Sequence, residues 1–224
     1  MRSMGFERVP IINVENACAS GTSALHMAIQ SIKAGETDIA LAVGAEKMLI
    51  EDKRKLAAVF DSGWDVETAE ENKASLVALG QGIDVPEGTT MEQPYSVFMD
   101  VYAAFCRAHM LKFGTTQKQI AAISAKNHVH SQFNPLSRFQ NPFTVEEVLA
   151  APPIAYPLTL PMCAPNSDGA AAVIVCNKLG LSRLDGSSSR AVRVKANSIA
   201  SGVTRPADDY EHNIGRLAAL ETYE

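Results

Sequence analysis

The sequence has few of the groups that staple small extracellular folds or hold metal ions. Its four cysteines, Cys18, Cys106, Cys163 and Cys176, lie far apart with no Cys-x-x-Cys pair. Neither a disulfide framework nor a zinc site is expected, and reduced thiols in the cytoplasm are. Of the five histidines, His128 and His130 are two residues apart, a spacing that puts them on different faces of a helix with no cysteine nearby, so no metal site is expected. Long apolar runs are absent as well. Ile39–Val43 and Ala170–Cys176 fall far short of the ~20 residues that a membrane helix needs, and no span is expected. Met1–Pro10 carries Arg2, Glu7 and Arg8 and no apolar stretch with a small-residue cleavage site, so it does not read as a secretory signal. Positive charge is in deficit, 20 Lys and Arg against 25 Asp and Glu, a net charge of -5. That balance offers no basic field for a phosphate backbone, and nucleic acid is not an expected partner.

What is present is a globular composition, 46% hydrophobic and 20% charged over 224 residues, enough for one substantial core or two small ones. Val9–Val14 is β-branched and mostly apolar, and it runs into the small-residue turn Ala17-Cys18-Ala19-Ser20-Gly21, which reads as a strand ending in a turn. From Thr22 to Lys33, Ala24, Leu25, Ala28, Ile29 and Ile32 recur at helical steps, with Gly35 placed to end the helix. Asp38–Gly44 is an apolar run of the kind covered on both faces in a parallel sheet. Strand, helix and strand together predict a right-handed βαβ unit. Leu49–Glu92 leaves this pattern. Tyr95–Phe113 returns to helical spacing and ends at Gly114, Thr115 or Thr116 caps a second helix, and Thr144-Val145-Glu146-Glu147 opens a third that stops before Pro152. Asp168–Val175 and Ala191–Ile199 read as further strands, separated by an exposed turn at Ser187–Ser189.

Cys18 sits where the sequence places a helix start. Backbone N–H groups and the positive end of the helix dipole stabilise a thiolate there and can hold an oxyanion. The small residues Ala17, Ala19, Ser20 and Gly21 leave room for a thioester to reach the sulfur. A buried cysteine packed as a small hydrophobe accounts for the same residues, and local physics leaves the two readings open. Cys106, in a helical apolar pattern, and Cys176, at a strand end, read as core residues. His128 and His130, in a polar stretch at a helix end, read as solvated or capping groups.

Several separated segments carry a resemblance. Asn16-Ala17-Cys18-Ala19-Ser20-Gly21-Thr22-Ser23-Ala24-Leu25 resembles the nucleophile segment of thiolases, and Val43-Gly44-Ala45-Glu46-Lys47-Met48 resembles the strand end that follows it. Asn127-His128-Val129-His130-Ser131 with Asn134-Pro135, and Pro157–Leu160 through Cys163 to Ser167–Ala172, resemble the sterol-carrier-protein branch of that family. The resemblance implies an α/β fold of thiolase-like βαβ layers with a mainly helical inserted loop domain, incomplete at both ends. Its expected division is 1–48 for the N-terminal core, 49–155 for the loop domain, 156–186 for a return to the core and 187–224 for the start of the C-terminal half.

The resemblance also implies the chemistry. Cys18 matches the acyl-accepting nucleophile, and its backbone N–H one donor of the oxyanion hole. Met162, Cys163 and Ala164 match a segment beside the pantetheine arm. Coenzyme A is then a substrate, with no bound cofactor and no metal, and the partners are acyl-CoA thioesters together with a second copy or a complementing subunit. The family's Gly-His-Pro, Cys-x-Gly and Asn-Glu-Ala-Phe or His-Asp-Cys-Phe motifs do not occur in this sequence, so an internal or truncated portion of a thiolase is expected, with acid/base groups supplied from elsewhere. The alternatives are a thiolase-fold aldolase subunit, and a non-catalytic thiolase-like fragment or assembly subunit. The asparagine–histidine segment argues against a ketosynthase.

Overall fold

The computed structural model describes residues 5–92, 95–184 and 188–224, the side chains of Lys53, Arg54, Ala57 and Ser188 excepted. The expected boundary at residues 186/187 and the first residue of the Ser187–Ser189 turn lie outside the described residues. In chain order the elements are α1 (Ser20–Lys33), β1 (Ile39–Glu46), α2 (Lys53–Asp61), α3 (Ala69–Ala78), α4 (Val97–Phe113), α5 (Gln117–Ser131), α6 (Val145–Ala150), β2 (Pro153–Ala155), β3 (Leu158–Thr159), β4 (Gly169–Cys176), α7 (Lys178–Ser182) and α8 (Ile214–Tyr223). They form two compact units, one of Met1–Lys47, Asp168–Arg205 and Asp209–Glu224, the other of Met48–Ser167 and Pro206–Asp208. The chain is thus a mixed α/β structure of helices and small sheets. No helix among the described residues is long and apolar enough to cross a membrane.

In the first unit α1 ends where Gly35 takes φ +75° and donates its N–H to the Ile32 carbonyl at 3.1 Å, a conformation that favours glycine. The sheet differs from the expected βαβ unit. β1 pairs with β4, antiparallel, from Ile39↔Cys176 to Glu46↔Gly169. Val9–Val14, expected as a strand, carries no ladder, and Val9, Ile11 and Ile12 are exposed. A strand exists only where a neighbour takes its N–H and C=O groups, and none is present for this segment. Residues 191–199, the other expected strand, form no ladder either. They are attached by side chains instead: Asn197 bonds to His26 of α1, and Ser198 donates to the Ala218 carbonyl of α8 at 3.1 Å.

Nor is the sheet covered on both faces. Alternation places Ala42 and Gly44 on one side of β1, where Ala42 is buried and a Cβ on Gly44 would lie 3.9 Å from the Gly21 Cα of α1. Leu41, Val43 and, across the ladder, Ile174 point the other way and are 44%, 54% and 57% exposed. Among the described residues of this unit, α1 packs on the first of these faces. The start of β1 is fixed to α7 by Asp38. Its carboxylate accepts from Asn177 Nδ2 at 2.8 Å and from the Arg183 guanidinium at 2.9 Å, while the Asn177 side chain caps α7 by accepting from the Gly180 N–H.

The second unit is mainly helical. The segment before Glu92, read in sequence only as an excursion, contains α2 and α3. α4 begins at Ser96, whose side chain accepts from the Phe98 N–H, and ends at Gly114 with φ +69°. α5 and α6 open with capping boxes, Thr116 with Gln119 and Thr144 with Glu147. Two buried clusters hold the unit together. One is Ala103, Ala155 and Leu158, with Cys106, Met162 and Cys163 packed against it; the other is Ala121, Ala125 and Val148, with Phe143 and Met162. Residues 156–167 stay with this unit because Leu158 and Met162 bury themselves between its helices. Arg107 on α4 donates to the Gly80 carbonyl at 3.1 Å and to the Tyr156 carbonyl at 2.5 Å, tying the end of α3 and the β2–β3 hairpin to α4.

Candidate functional site

Cys18 lies in a short 3-10 turn, Ala17–Ala19, immediately before α1. The residues around it build that turn. Ala17 takes φ 44°, a left-handed conformation that costs a non-glycine residue about 1 kcal/mol and persists only where neighbours enforce it. Here the Glu15 carboxylate accepts the Ala17 N–H at 2.6 Å, the Ser20 hydroxyl accepts the Asn16 N–H at 2.8 Å, and the Asn16 amide donates to the buried Ser23 hydroxyl at 2.9 Å. The Ser20 hydroxyl in turn donates to the Ala17 carbonyl at 2.8 Å, and Ala19 N–H to the Asn16 carbonyl at 2.9 Å. The chain therefore doubles back at Cys18 and leaves its side chain exposed. The alternative of a packed hydrophobic cysteine does not describe this position. No side chain caps α1 and no acid lies in its first turn, although the Glu15 carboxylate is close by. Gly44 of β1 approaches Gly21, so two of the resembling segments meet in the first unit.

Met162, Cys163 and Ala164 belong to the second unit. Met162 closes the 3-10 turn Leu160–Met162, and it and Cys163 are half-buried, packed inward, while Ala164 is exposed. The Cys163 thiol donates to the Thr159 carbonyl at 3.7 Å, and burial pushes its pKa up. Burial does the same for Cys106, opposed by the Arg107 charge and reinforced by Cys163. What this segment offers outward is backbone and Ala164. Its placement rests on groups distant from it in the chain. Thr159 donates its hydroxyl to the Val148 carbonyl at 2.6 Å, and the Pro161 carbonyl accepts from Ser124 Oγ at 2.7 Å and lies 3.1 Å from His128 Nε2. His128 is thus neither solvated nor a cap, since its ring is half-buried, edge-on to Phe143 with centroids 4.8 Å apart. Partners 33 residues away in the chain leave no local signal. Among the described residues no group of three or more His, Cys, Asp or Glu could hold a metal ion.

Comparison with known proteins places these segments in context. The family model for the thiolase N-terminal domain matches residues 1–150. An acetyl-CoA acetyltransferase of Methanothermobacter thermautotrophicus is 35% identical over 174 residues, covering 77% of this chain and 39% of the relative. Human sterol carrier protein 2 is 33% identical over 219 residues, 98% of this chain and 37% of that protein. The benzoylsuccinyl-CoA thiolase subunit BbsB of Thauera aromatica is 29% identical over 218 residues, 96% of this chain and 50% of the subunit. A solved structure titled Ltp2-ChsH2(DUF35) aldolase superposes with a TM-score of 0.48 at 20% identity, covering 72% of this chain and 36% of that one. The chain spans half or less of the length of these relatives. With the family model matched over more than half of its residues, the chain belongs to the thiolase family.

Proposed function

We propose that Cys18 carries an acyl group between acyl-CoA thioesters and coenzyme A in thiolase-type transfer. The observation that carries this reading is the exposure of Cys18 in a turn held by its own motif residues, at the start of α1, in a chain of this family. In the forward half-reaction the Cys18 thiolate attacks the 3-oxo carbon of a 3-oxoacyl-CoA. The bond between that carbon and the α-carbon breaks, the departing carbanion is protonated, and acetyl-CoA leaves with the acyl group on sulfur. In the second half-reaction the thiol of coenzyme A attacks the acyl-enzyme, giving acyl-CoA and free Cys18. No bound cofactor takes part in either step.

Magnitudes decide how far the chain goes alone. A helix end contributes about 0.3–1 kcal/mol to a nearby anion, about fivefold in an equilibrium, whereas each general acid or base contributes about 10²–10⁴-fold in rate. The sequence contains none of the family's Gly-His-Pro, Cys-x-Gly or Asn-Glu-Ala-Phe motifs. Slow acylation without sustained turnover is therefore the expected behaviour of the 224 residues, with a complementing subunit that supplies those groups needed for the full cycle. In this reading residues 1–48 and 156–186 are assigned to the N-terminal thiolase core, although 156–167 pack within the helical unit, 49–155 to its loop domain and 187–224 to the start of the C-terminal half. The setting is cytoplasmic lipid metabolism of the fatty-acid β-oxidation kind, with Met162–Ala164 beside the pantetheine arm. The test is protection: acetoacetyl-CoA should slow iodoacetamide labelling of Cys18 and leave Cys106 unaffected. Labelling of Cys18 at the same rate with and without the thioester contradicts the reading.

A further inference from the structure

We infer that Ser124 and His128 are positioning residues that set the backbone of residues 160–164, and through it the affinity for the pantetheine arm of a thioester. The inference rests on the proposed placement of Met162–Ala164 beside that arm. Ser124 and His128 are one turn apart on α5, an i, i+4 pair on a single face, and both reach one acceptor, the Pro161 carbonyl, at 2.7 and 3.1 Å. A carbonyl oxygen has two lone pairs, and here both are engaged. The same strand of chain is already held inside the unit by the Thr159 hydroxyl on the Val148 carbonyl, by the Leu160 N–H on the Pro152 carbonyl at 2.9 Å and by the buried side of Met162. Those three anchors precede or bury the turn. The clamp at Pro161 holds the middle of a turn whose ends are joined by the Cys163 N–H on the Leu160 carbonyl at 3.1 Å, and residues 160–164 present the exposed Leu160 and Ala164 to a ligand.

His128 has the geometry for this task. Phe143 meets its ring edge-on at 83° and packs on the Ala121, Ala125 and Val148 cluster, so the ring has a second contact besides Pro161. To serve Pro161 the Nε2 must carry the proton, which fixes the tautomer as Nε2–H when the ring is neutral. The positioning is therefore steric and directional.

The experiment compares His128→Leu, which fills the space and cannot donate, with His128→Gln, whose side-chain amide donates from a similar reach. Binding of acetoacetyl-CoA to the full chain is measured by calorimetry near neutral pH. Iodoacetamide labelling of Cys163 and Cys106 is read in parallel. The expected result is about tenfold weaker binding for His128→Leu, in line with one lost hydrogen bond. His128→Gln should stay within about twofold of wild type, because the donor is restored. Cys163 should label faster in His128→Leu while Cys106 does not, which separates a displaced turn from an unfolded unit. Wild-type affinity in His128→Leu, or equal loss in the Leu and Gln variants, overturns the clamp alone. If the wild-type chain binds no thioester, the placement of Met162–Ala164 falls and the affinity inference falls with it. Unchanged Cys163 labelling in His128→Leu would then show that the clamp does not set the turn either.

Discussion

Cys18 differs from Cys106 and Cys163 in being exposed, while burial raises the pKa of both others. The thiolate is the reactive form, so iodoacetamide near neutral pH should label Cys18 at least about tenfold faster than either, read by peptide mass spectrometry. Equal rates in folded protein remove the argument. Glu15 holds the same turn, since its carboxylate accepts the Ala17 N–H, and Glu15→Ala, which removes that acceptor, should cost about 1 kcal/mol in urea unfolding. The Cys18 turn was legible from its small flanking residues. The roles of Glu15, Asn16, Ser20 and Ser23 were not, because they depend on the left-handed conformation of Ala17, which no propensity suggests for alanine.

Two glycines separate close packing from ordinary helix chemistry. Gly180 in α7 has the Asp38 carbonyl oxygen 2.1 Å from where a Cβ would stand, whereas Gly21 in α1 has nothing within 4 Å. Gly180→Ala should therefore cost about 1–3 kcal/mol or more in urea unfolding, and Gly21→Ala should be neutral or gain up to about 1 kcal/mol. The α6 box adds a pH signature. Hydrogen bonds from the Thr144 N–H and hydroxyl hold the Glu147 carboxyl below its ordinary value. A depressed carboxylate stabilises above its unfolded pKa, about 4.3, and that contribution is lost as pH falls through the lower folded value. Glu147→Gln should flatten this acid limb of a stability–pH curve by lowering stability in the neutral range, with stability at the acid end little changed. Capped helices such as α5 and α6 were readable because their signals are local. The strand at Val9–Val14 was misread because its apolar, β-branched residues specify a strand only in the presence of a neighbour. The antiparallel β1–β4 pairing was missed because 122 residues separate Glu46 from Gly169.

At the scale of the chain, the face of β1 and β4 that bears Leu41, Val43 and Ile174 has no covering helix among the described residues of its own unit. Such a face with open strand edges drives association. Light scattering should show a mass that rises with concentration, reduced by Val43→Lys; a strictly monomeric wild type would contradict this. Family membership and an exposed Cys18 converge on one claim, that this cysteine accepts an acyl group. The most direct measurement is intact-mass spectrometry of the purified chain mixed with acetoacetyl-CoA, followed by peptide mapping. The account predicts a single acetyl group that accumulates slowly on Cys18, persists after coenzyme A is added, and is absent from Cys18→Ala. No acetylation of the wild type, or the same acetylation in Cys18→Ala, would contradict it.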